Sequence, residues 1–205
     1  MANFKSRLTE IVETAYKLLG NKIANGNIKV SNEASLQMHL GMILKTLGEL
    51  YEYSLEERII VSLETLQEVT TTKTPNGKAR CDIEITLLNL KNNTQCTAYI
   101  ELKYLKKSPT AAVTDERFSV WTDVENLEAY IADSENLGFA IVLTDDVNHT
   151  KNKASNKFCI GSGVSMTAGS HPYTQGRVVK LKNTYPLDWW NVNEDFVYLL
   201  KIDVR

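Results

Sequence analysis

Three charged side chains near the middle of the chain have the types and spacing needed to bind a divalent cation. Asp82 lies in one strand-like segment, and Glu101 and Lys103 lie in the next. Carboxylate oxygens are preferred ligands of Mg²⁺, and an ammonium group stabilises negative charge on a phosphoryl group. The residue types therefore predict a metal site suited to the hydrolysis of phosphodiesters.

Strand periodicity assigns these side chains to faces. Because side chains two residues apart on a strand point to the same side, Glu101 and Lys103 share one face. The opposite face of a half-buried strand would be apolar, with Ala98, Ile100, Leu102 and Tyr104. The preceding strand alternates in the same way, with Asp82, Glu84 and Thr86 on one face and Cys81, Ile83, Ile85 and Leu87 on the other.

A polar stretch between the two segments predicts that they form an antiparallel hairpin. Residues 90–95 read Leu-Lys-Asn-Asn-Thr-Gln, a composition typical of a turn. Antiparallel pairing would bring Asp82 and Glu101 together, so that both could bind one cation. The alternative is an exposed cross-strand ion pair that contributes about 0.2–1 kcal/mol to stability.

The spacing of Asp82, Glu101 and Lys103 resembles the signature of the PD-(D/E)XK nuclease superfamily, which includes restriction endonucleases. The resemblance covers residues 32–144, and Cys81 stands where the family name has proline. It implies an α/β fold with a restriction endonuclease-like core, in which helices flank a mixed central β-sheet and a helical pair comes first. It also implies hydrolysis of DNA with Mg²⁺ as cofactor and Mn²⁺ as its substitute.

The resemblance further implies a role for each matching residue. Asp82 and Glu101 would bind Mg²⁺ together with the backbone carbonyl of Leu102. Lys103, held protonated by its carboxylate neighbours, would orient the attacking water or stabilise the transition state. Glu33, in the first turn of the second predicted helix, would reach the cation or its waters, although the helix dipole alone also favours a carboxylate there.

Two pairs of lysines are predicted to contact DNA phosphates. Lys106 and Lys107 follow the strand that carries Glu101, and Lys151 and Lys153 form a second basic cluster with Lys157. The equal alternative is that these lysines are ordinary solvated surface charges. A formal net charge of -2 opposes indiscriminate binding to nucleic acid, so that local clusters would have to supply the affinity.

The remaining patterns predict the elements that position these residues. They indicate helices at residues 4–23, 33–53 and 122–133, strands at 58–69 and 139–143, a turn at 75–77 and a loop at 108–114. Ser31 or Asn32 would cap the second helix, which Gly41 and Gly48 would weaken. The resemblance makes Asp123 on the third helix a further candidate for the site, although helix N-terminal charge preference explains it equally well.

The last third of the chain is more polar. Residues 145–176 are predicted to form a polar loop that faces the substrate, and strands at 177–182 and 196–204 are predicted to extend the central sheet. Trp189 and Trp190 could stack on bases, but paired tryptophans near a turn more often pack against a core. His149 and His171 are expected to be exposed and without a ligand partner.

Composition is ordinary for a globular protein. The chain has 205 residues, of which 43% are hydrophobic and 23% charged, and this predicts one domain spanning residues 1–205. The absence of a long apolar run predicts no membrane contact. The three cysteines lack pairing or metal-binding spacing, and the chain starts without an apolar signal core, so a cytoplasmic location is expected.

The resemblance to PD-(D/E)XK nucleases implies a Mg²⁺-dependent endonuclease that cuts DNA, of restriction or defence type. Cutting both strands would favour a homodimer. One alternative is a catalytically inactive nuclease-fold protein that binds DNA or another protein. Another is a small-molecule pocket formed by Asp82 and Glu84, which would need no cation.

Overall fold

The computed structural model describes residues 2–107, 113–132, 135–153, 157–193 and 197–205. Within these ranges the α-helices are α1 (Ala2–Ala24), α2 (Glu33–Leu50), α3 (Val113–Tyr130) and α4 (Val147–Thr150). The strands are β1 (Glu57–Gln67), β2 (Ala79–Asn89), β3 (Thr94–Leu105), β4 (Leu137–Thr144), β5 (Ser165–Met166), β6 (Gly169–Pro172), β7 (Val178–Leu181), β8 (Tyr185–Pro186), β9 (Trp189–Asn193) and β10 (Val197–Val204). In the part of the chain covered by these ranges, no helix is both long and apolar enough to cross a membrane.

A six-stranded mixed sheet organises these elements, in the order β1-β2-β3-β4-β10-β9. Strands β3 and β4 pair in parallel, and the other neighbours pair antiparallel. A parallel pair needs a crossover connection, which α3 provides. The predicted mixed α/β architecture with an N-terminal helical pair is therefore confirmed.

Two hydrophobic layers cover the two faces of this sheet. The first layer joins α1 and α2 to one face, and the second joins α3 and the C-terminal segment to the other. Strand β3 is consequently buried on both faces, and only 2% of Glu101 is exposed. The prediction of a half-buried strand was wrong, because α3 covers the face that Glu101 shares with Lys103.

The β2–β3 hairpin is antiparallel, as predicted, with Ile83 opposite Ile100 and Leu87 opposite Cys96. The predicted alternation holds along β3, whose even-numbered apolar side chains pack in the first layer. It fails at Cys81, which packs in the second layer while Ile83 packs in the first. Strand β2 therefore changes the face it presents on passing Asp82.

Helix α3 begins well before the predicted position at residue 122. Its first turn contains Asp115 and Glu116, which the helix dipole favours. Many of its buried side chains are polar, including Arg117, Asp123 and Asn126, so apolar periodicity did not mark where the helix begins. The predicted loop at 108–114 was wrong for its last two residues, and residues 108–112 lie outside the described ranges.

Helix α2 is capped as predicted, because Asn32 accepts a hydrogen bond from Ser35 N and the Ser35 hydroxyl accepts one from Asn32 N. Its glycines allow a close approach to β1. A Cβ atom at Gly48 would lie 2.6 Å from Ile59 Cγ2, whereas one at Gly41 would lie 3.4 Å from Leu63 Cδ2. Gly48 lowers the intrinsic helix propensity of α2 but allows the helix to pack closely against the sheet.

The segment predicted as a polar loop at 145–176 contains α4, β5 and β6. It buries Phe158, Cys159, Ile160 and Met166 in the described structure. Strand β7 pairs with β6 in a separate two-stranded sheet, so the prediction that residues 177–182 extend the central sheet was wrong. The prediction for the last strand is confirmed, because β10 pairs with β4.

The tryptophans pack, as predicted, rather than presenting their rings to a ligand. Trp189 is buried and donates a hydrogen bond to Ile160 O at 2.5 Å. The Trp190 ring lies 5.7 Å from that of Tyr16. The expectation that His149 is exposed was wrong: it is fully buried 3.2 Å from Glu116, and burial lowers its pKa to about 4.

Candidate functional site

Carboxyl and ammonium groups from five parts of the chain converge near the end of β3. The members of this charged site are Glu33 from α2, Lys73 from the β1–β2 connection, Asp82 from β2, Glu101 and Lys103 from β3, and Asp123 from α3. The structure thus brings together the predicted Asp82, Glu101, Lys103 and Glu33. Their catalytic and metal-binding roles remain predictions.

The site forms where β2 and β3 separate. Their ladder of opposed residues ends at Ile83 and Ile100, although β2 extends back to Ala79 and β3 forward to Leu105. Beyond that point, Leu102 N donates a hydrogen bond of 2.6 Å to Asp82 Oδ2. Because the N–H and C=O of one strand residue point to the same edge, the Leu102 carbonyl also faces this gap. The gap therefore presents a carboxylate and a main-chain oxygen side by side.

The backbone opposite Asp82 is irregular. The β1–β2 register passes from Leu63↔Ile83 to Thr65↔Cys81, and Glu64 between them has φ 54°. A positive φ at a residue other than glycine costs of order 1 kcal/mol or more, and such strain concentrates at functional sites. Gln37 of α2 holds this region, because its amide nitrogen donates to Glu64 Oε1 at 3.0 Å and to the Asp82 carbonyl at 2.7 Å.

Burial makes both predicted metal-binding carboxyl groups hard to ionise. Burial raises the pKa of Asp82 to about 6; the Leu102 N–H opposes this shift, while nearby Asp123 adds to it. Burial also raises the pKa of Glu101 well above its ordinary value, and Asp123 and Asp82 raise it further. Tyr130 donates a hydrogen bond to Glu101 Oε1 at 2.9 Å, which partly offsets these effects.

Lys103 remains an ammonium group despite its burial. Its Nζ lies 3.2 Å from Glu33 Oε2 and 3.5 Å from Asp123 Oδ2. Burial lowers the pKa of Lys103, but these two carboxylates outweigh burial and the pKa is raised overall. The residue can therefore supply positive charge and hydrogen-bond donors, and it is not available as a base near neutral pH.

Lys73 is a second ammonium group that sequence reasoning missed. Its Nζ lies 2.6 Å from Asp123 Oδ1, and Glu101 also raises its pKa, against the effect of burial. The connection that carries Lys73 has no motif, only a run of threonines. Its position follows from tertiary hydrogen bonds, since Thr71 Oγ1 donates to Asn126 Oδ1 at 2.5 Å and Thr72 N donates to Glu125 Oε2 at 3.0 Å.

The donor set fits a hard divalent cation. Asp82, Glu101 and the Leu102 carbonyl offer oxygen atoms, which Mg²⁺ prefers. Asp123 Oδ2 is buried and accepts no hydrogen bond, although Lys103 Nζ lies 3.5 Å from it as an ion-pair partner. Among the described residues, no group of three or more His, Cys, Asp or Glu side chains is arranged to hold a metal ion. A metal site here would depend on two carboxylates and a main-chain carbonyl.

The four predicted DNA-binding lysines lie outside this cluster. Lys106 and Lys107 are exposed directly after β3, where Lys107 N donates to Asp145, and Lys151 and Lys153 are exposed after α4. Because β3 and β4 are parallel, both segments leave the sheet at the edge where the charged site lies. This location is compatible with phosphate contacts near the site, and those contacts remain a prediction.

No protein-family model, curated protein or solved structure matches this chain. Fold and site together define a mixed α/β protein with a largely buried cluster of carboxyl and ammonium groups where strands β2 and β3 of its central sheet separate.

Proposed function

We propose that this protein is a Mg²⁺-dependent endonuclease of the PD-(D/E)XK type, with a restriction endonuclease-like core, that hydrolyses phosphodiester bonds in DNA. The observation that carries the proposal is the convergence of Asp82, Glu101 and Lys103 where β2 and β3 separate, with Asp82 bonded to Leu102 N at 2.6 Å. An ordinary surface ion pair would need neither the burial of Glu101 nor the interruption of the ladder.

Each member of the charged site has a chemical role in this proposal. Asp82, Glu101 and the Leu102 carbonyl would hold Mg²⁺. The chemistry that Mg²⁺ supplies when bound is neutralisation of phosphoryl charge and activation of a water molecule. Lys103 would donate hydrogen bonds to that water or to the phosphoryl oxygens, on which negative charge increases in the transition state. Glu33 positions Lys103 through their ion pair.

The electrostatics of the site support a bound cation. Its four carboxyl groups outnumber its two ammonium groups, and the burial of Glu101 and Asp123 limits screening by water, although Glu33 and Lys73 are partly exposed. Burial is the main cause of the raised pKa of Asp82 and of Glu101, and the neighbouring carboxyl groups raise both further. A divalent cation would offset the excess of carboxyl groups and allow both residues to ionise.

The test is incubation of the purified chain with supercoiled, linear and single-stranded DNA and with RNA, in Mg²⁺, Mn²⁺ or EDTA. Wild type is compared with Asp82→Ala and Lys103→Ala, and Glu84→Ala on the same strand as Asp82 serves as the control. We expect cleavage of DNA that requires metal and is lost in both site variants. Metal-dependent cleavage that survives both substitutions would place the active site elsewhere.

Duplex cleavage adds a geometric expectation to the proposal. One such site hydrolyses one strand at a time, so double-strand cutting would favour a symmetric homodimer, whose two sites match the symmetry of the duplex. A type II restriction enzyme or a defence nuclease would have this arrangement.

A further inference from the structure

A cavity of about 280 Å³ adjoins the charged site on the side of Lys73. Two basic side chains line it: Lys73 lies in the β1–β2 connection, and Arg177 directly precedes β7. Thr72, Ser119 and Thr122 line the same space, but their hydroxyl groups already donate hydrogen bonds to main-chain carbonyls. The two basic side chains are therefore the groups of this cavity that can donate to phosphate oxygens.

The segment that carries Lys73 is held in place by hydrogen bonds to α3. The neighbouring Thr71 and Thr72 are hydrogen-bonded to Asn126 and Glu125 of α3, so the connection is attached to the helix on which Asp123 lies. An ammonium group has three donors, and Asp123 accepts one of them at 2.6 Å. The Lys73 side chain is 42% exposed, so the same ammonium can contact both Asp123 and a ligand in the cavity.

Arg177 is held by stacking rather than by a full carboxylate pair. Its guanidinium carbon lies 4.9 Å from the centroids of both the Phe118 and the Tyr173 rings. Stacking fixes the plane of a guanidinium and leaves N–H groups at its edge for an anion. Asp115 lies 3.6 Å from Arg177 and also accepts a 2.6 Å hydrogen bond from the Tyr173 hydroxyl.

The residues that line the cavity include two basic side chains, Lys73 and Arg177, and one acidic side chain, Asp115. Each basic side chain has an acidic partner, since Lys73 pairs with Asp123 and Arg177 with Asp115, but Lys73 is 42% exposed and Arg177 44%, which leaves N–H groups for a ligand. A polyanion could therefore bind with one phosphate at the carboxylates, held through a divalent cation. Its adjacent phosphate would then lie at the two basic side chains. We propose that Lys73 and Arg177 form a phosphate subsite for the DNA backbone beside the scissile phosphodiester. This inference rests on the proposed nuclease function and names how its substrate is held.

The subsite is tested by DNA binding at several salt concentrations. Anisotropy of a labelled duplex is measured in EDTA with the full chain carrying Glu101→Gln, which removes one site carboxylate and blocks cleavage. Lys73→Gln and Arg177→Gln are added singly and together. Lys91→Gln and Arg58→Gln are the matched controls, because they make the same charge change at the far end of the β1–β2 pair.

We expect each subsite substitution to reduce the slope of log K against log salt by about 1, and the pair to reduce it by about 2, while the controls leave it unchanged. Arg177 forms no ion pair with the charged site in the described structure. Arg177→Gln therefore remains informative if thermal unfolding shows that Lys73→Gln disturbs the fold.

Two results would overturn the subsite in distinguishable ways. If the parent binds DNA but the subsite variants keep the slope of their controls, the subsite is wrong and the nuclease proposal stands. If the parent does not bind DNA and wild type does not cleave it, both proposals fail.

Discussion

Asp82 and Glu101 are carboxyl groups whose surroundings oppose ionisation. Asp82 is largely enclosed, and Glu101 is covered by α3 and contacted by Tyr130. A buried carboxylate without a balancing charge destabilises the folded state. Its pKa is therefore raised, so that the carboxyl group is protonated unless a cation binds beside it. These two residues therefore link stability, pH and metal binding.

Asp82→Asn is expected to stabilise the metal-free protein near neutral pH. The folded-state pKa of Asp82 is raised from 3.8 to about 6, so the native protein binds more protons than the unfolded chain between these values. Stability from this group is thus full below about pH 4 and falls as pH rises towards 6. At pH 7 we expect a gain of about 1–3 kcal/mol.

This gain is measured by urea unfolding in EDTA from pH 5 to pH 8, with Glu84→Gln as the control on the same strand. The pH dependence should be weaker in Asp82→Asn than in wild type. A variant that is less stable than wild type across this whole range would contradict the assigned environment of Asp82.

Cation affinity is expected to increase with pH through about 6. Binding requires the ionised form of Asp82, whose pKa is about 6, and of Glu101, whose pKa is also raised, so protons are released as the cation enters. Calorimetric titration with Mg²⁺ in two buffers of different ionisation enthalpy measures both affinity and proton release. Affinity that is constant from pH 5 to pH 8 with no proton release would exclude these ligands.

Lys103→Gln is expected to lower kcat by about 10²–10³-fold, the loss typical for one electrostatic donor in an active site. Substrate binding should change much less, because the ammonium group acts mainly on charge that develops in the transition state. Single-turnover cleavage with saturating enzyme separates the two effects. Lys91→Gln on the β2–β3 turn is the control, and an equal loss in both variants would remove Lys103 from the chemistry.

At the scale of elements, helix α2 holds the site from the side of β1. It contributes Glu33 to Lys103 and Gln37 to the Asp82 backbone, and it can do so because Gly48 allows close contact with Ile59. Elements that carry site residues must be held to within fractions of an ångström, so a small displacement of α2 would be felt at Asp82.

Gly48→Ala tests this packing, with Gly41→Ala in the same helix as its control. Both substitutions raise helix propensity, but only the new methyl group at residue 48 would lie 2.6 Å from Ile59 Cγ2. We expect Gly48→Ala to have a free energy of unfolding about 1–3 kcal/mol lower than Gly41→Ala. Denaturant unfolding measures the difference, and equal stabilities would show that α2 can shift without cost.

Local periodicity and turn composition were sufficient to predict the β2–β3 hairpin, because both are local properties, but the alternation used to place Asp82 beside Glu101 fails at Cys81, where β2 changes face. Neither property could show that α3 covers Glu101, since the buried face of that helix is rich in polar residues such as Asp123 and Asn126. Lys73 and Gln37 reach the site only through tertiary contacts, and no local pattern marks either one. Burial of the charged site was therefore the property that sequence alone could not supply.

At the scale of the whole molecule, charge is separated rather than uniform. The formal net charge is -2, yet the excess of carboxyl groups lies at one end of the sheet beside exposed or partly exposed basic residues. Such separation allows a metal site and a DNA-binding surface to coexist in an acidic protein. The slope of log K against log salt should accordingly be small, because few phosphate contacts supply the binding.

The most direct measurement of the proposed chemistry is plasmid cleavage by wild type and by Glu101→Gln, in Mg²⁺ and in EDTA. Glutamine has nearly the shape of a protonated Glu101 and can still accept the hydrogen bond from Tyr130. We therefore expect the fold to be retained, and thermal unfolding measures whether it is. We predict that wild type converts supercoiled DNA to nicked and linear forms only with Mg²⁺, and that Glu101→Gln leaves the plasmid intact. Cleavage by Glu101→Gln at the wild-type rate would contradict a metal centre built on Asp82 and Glu101.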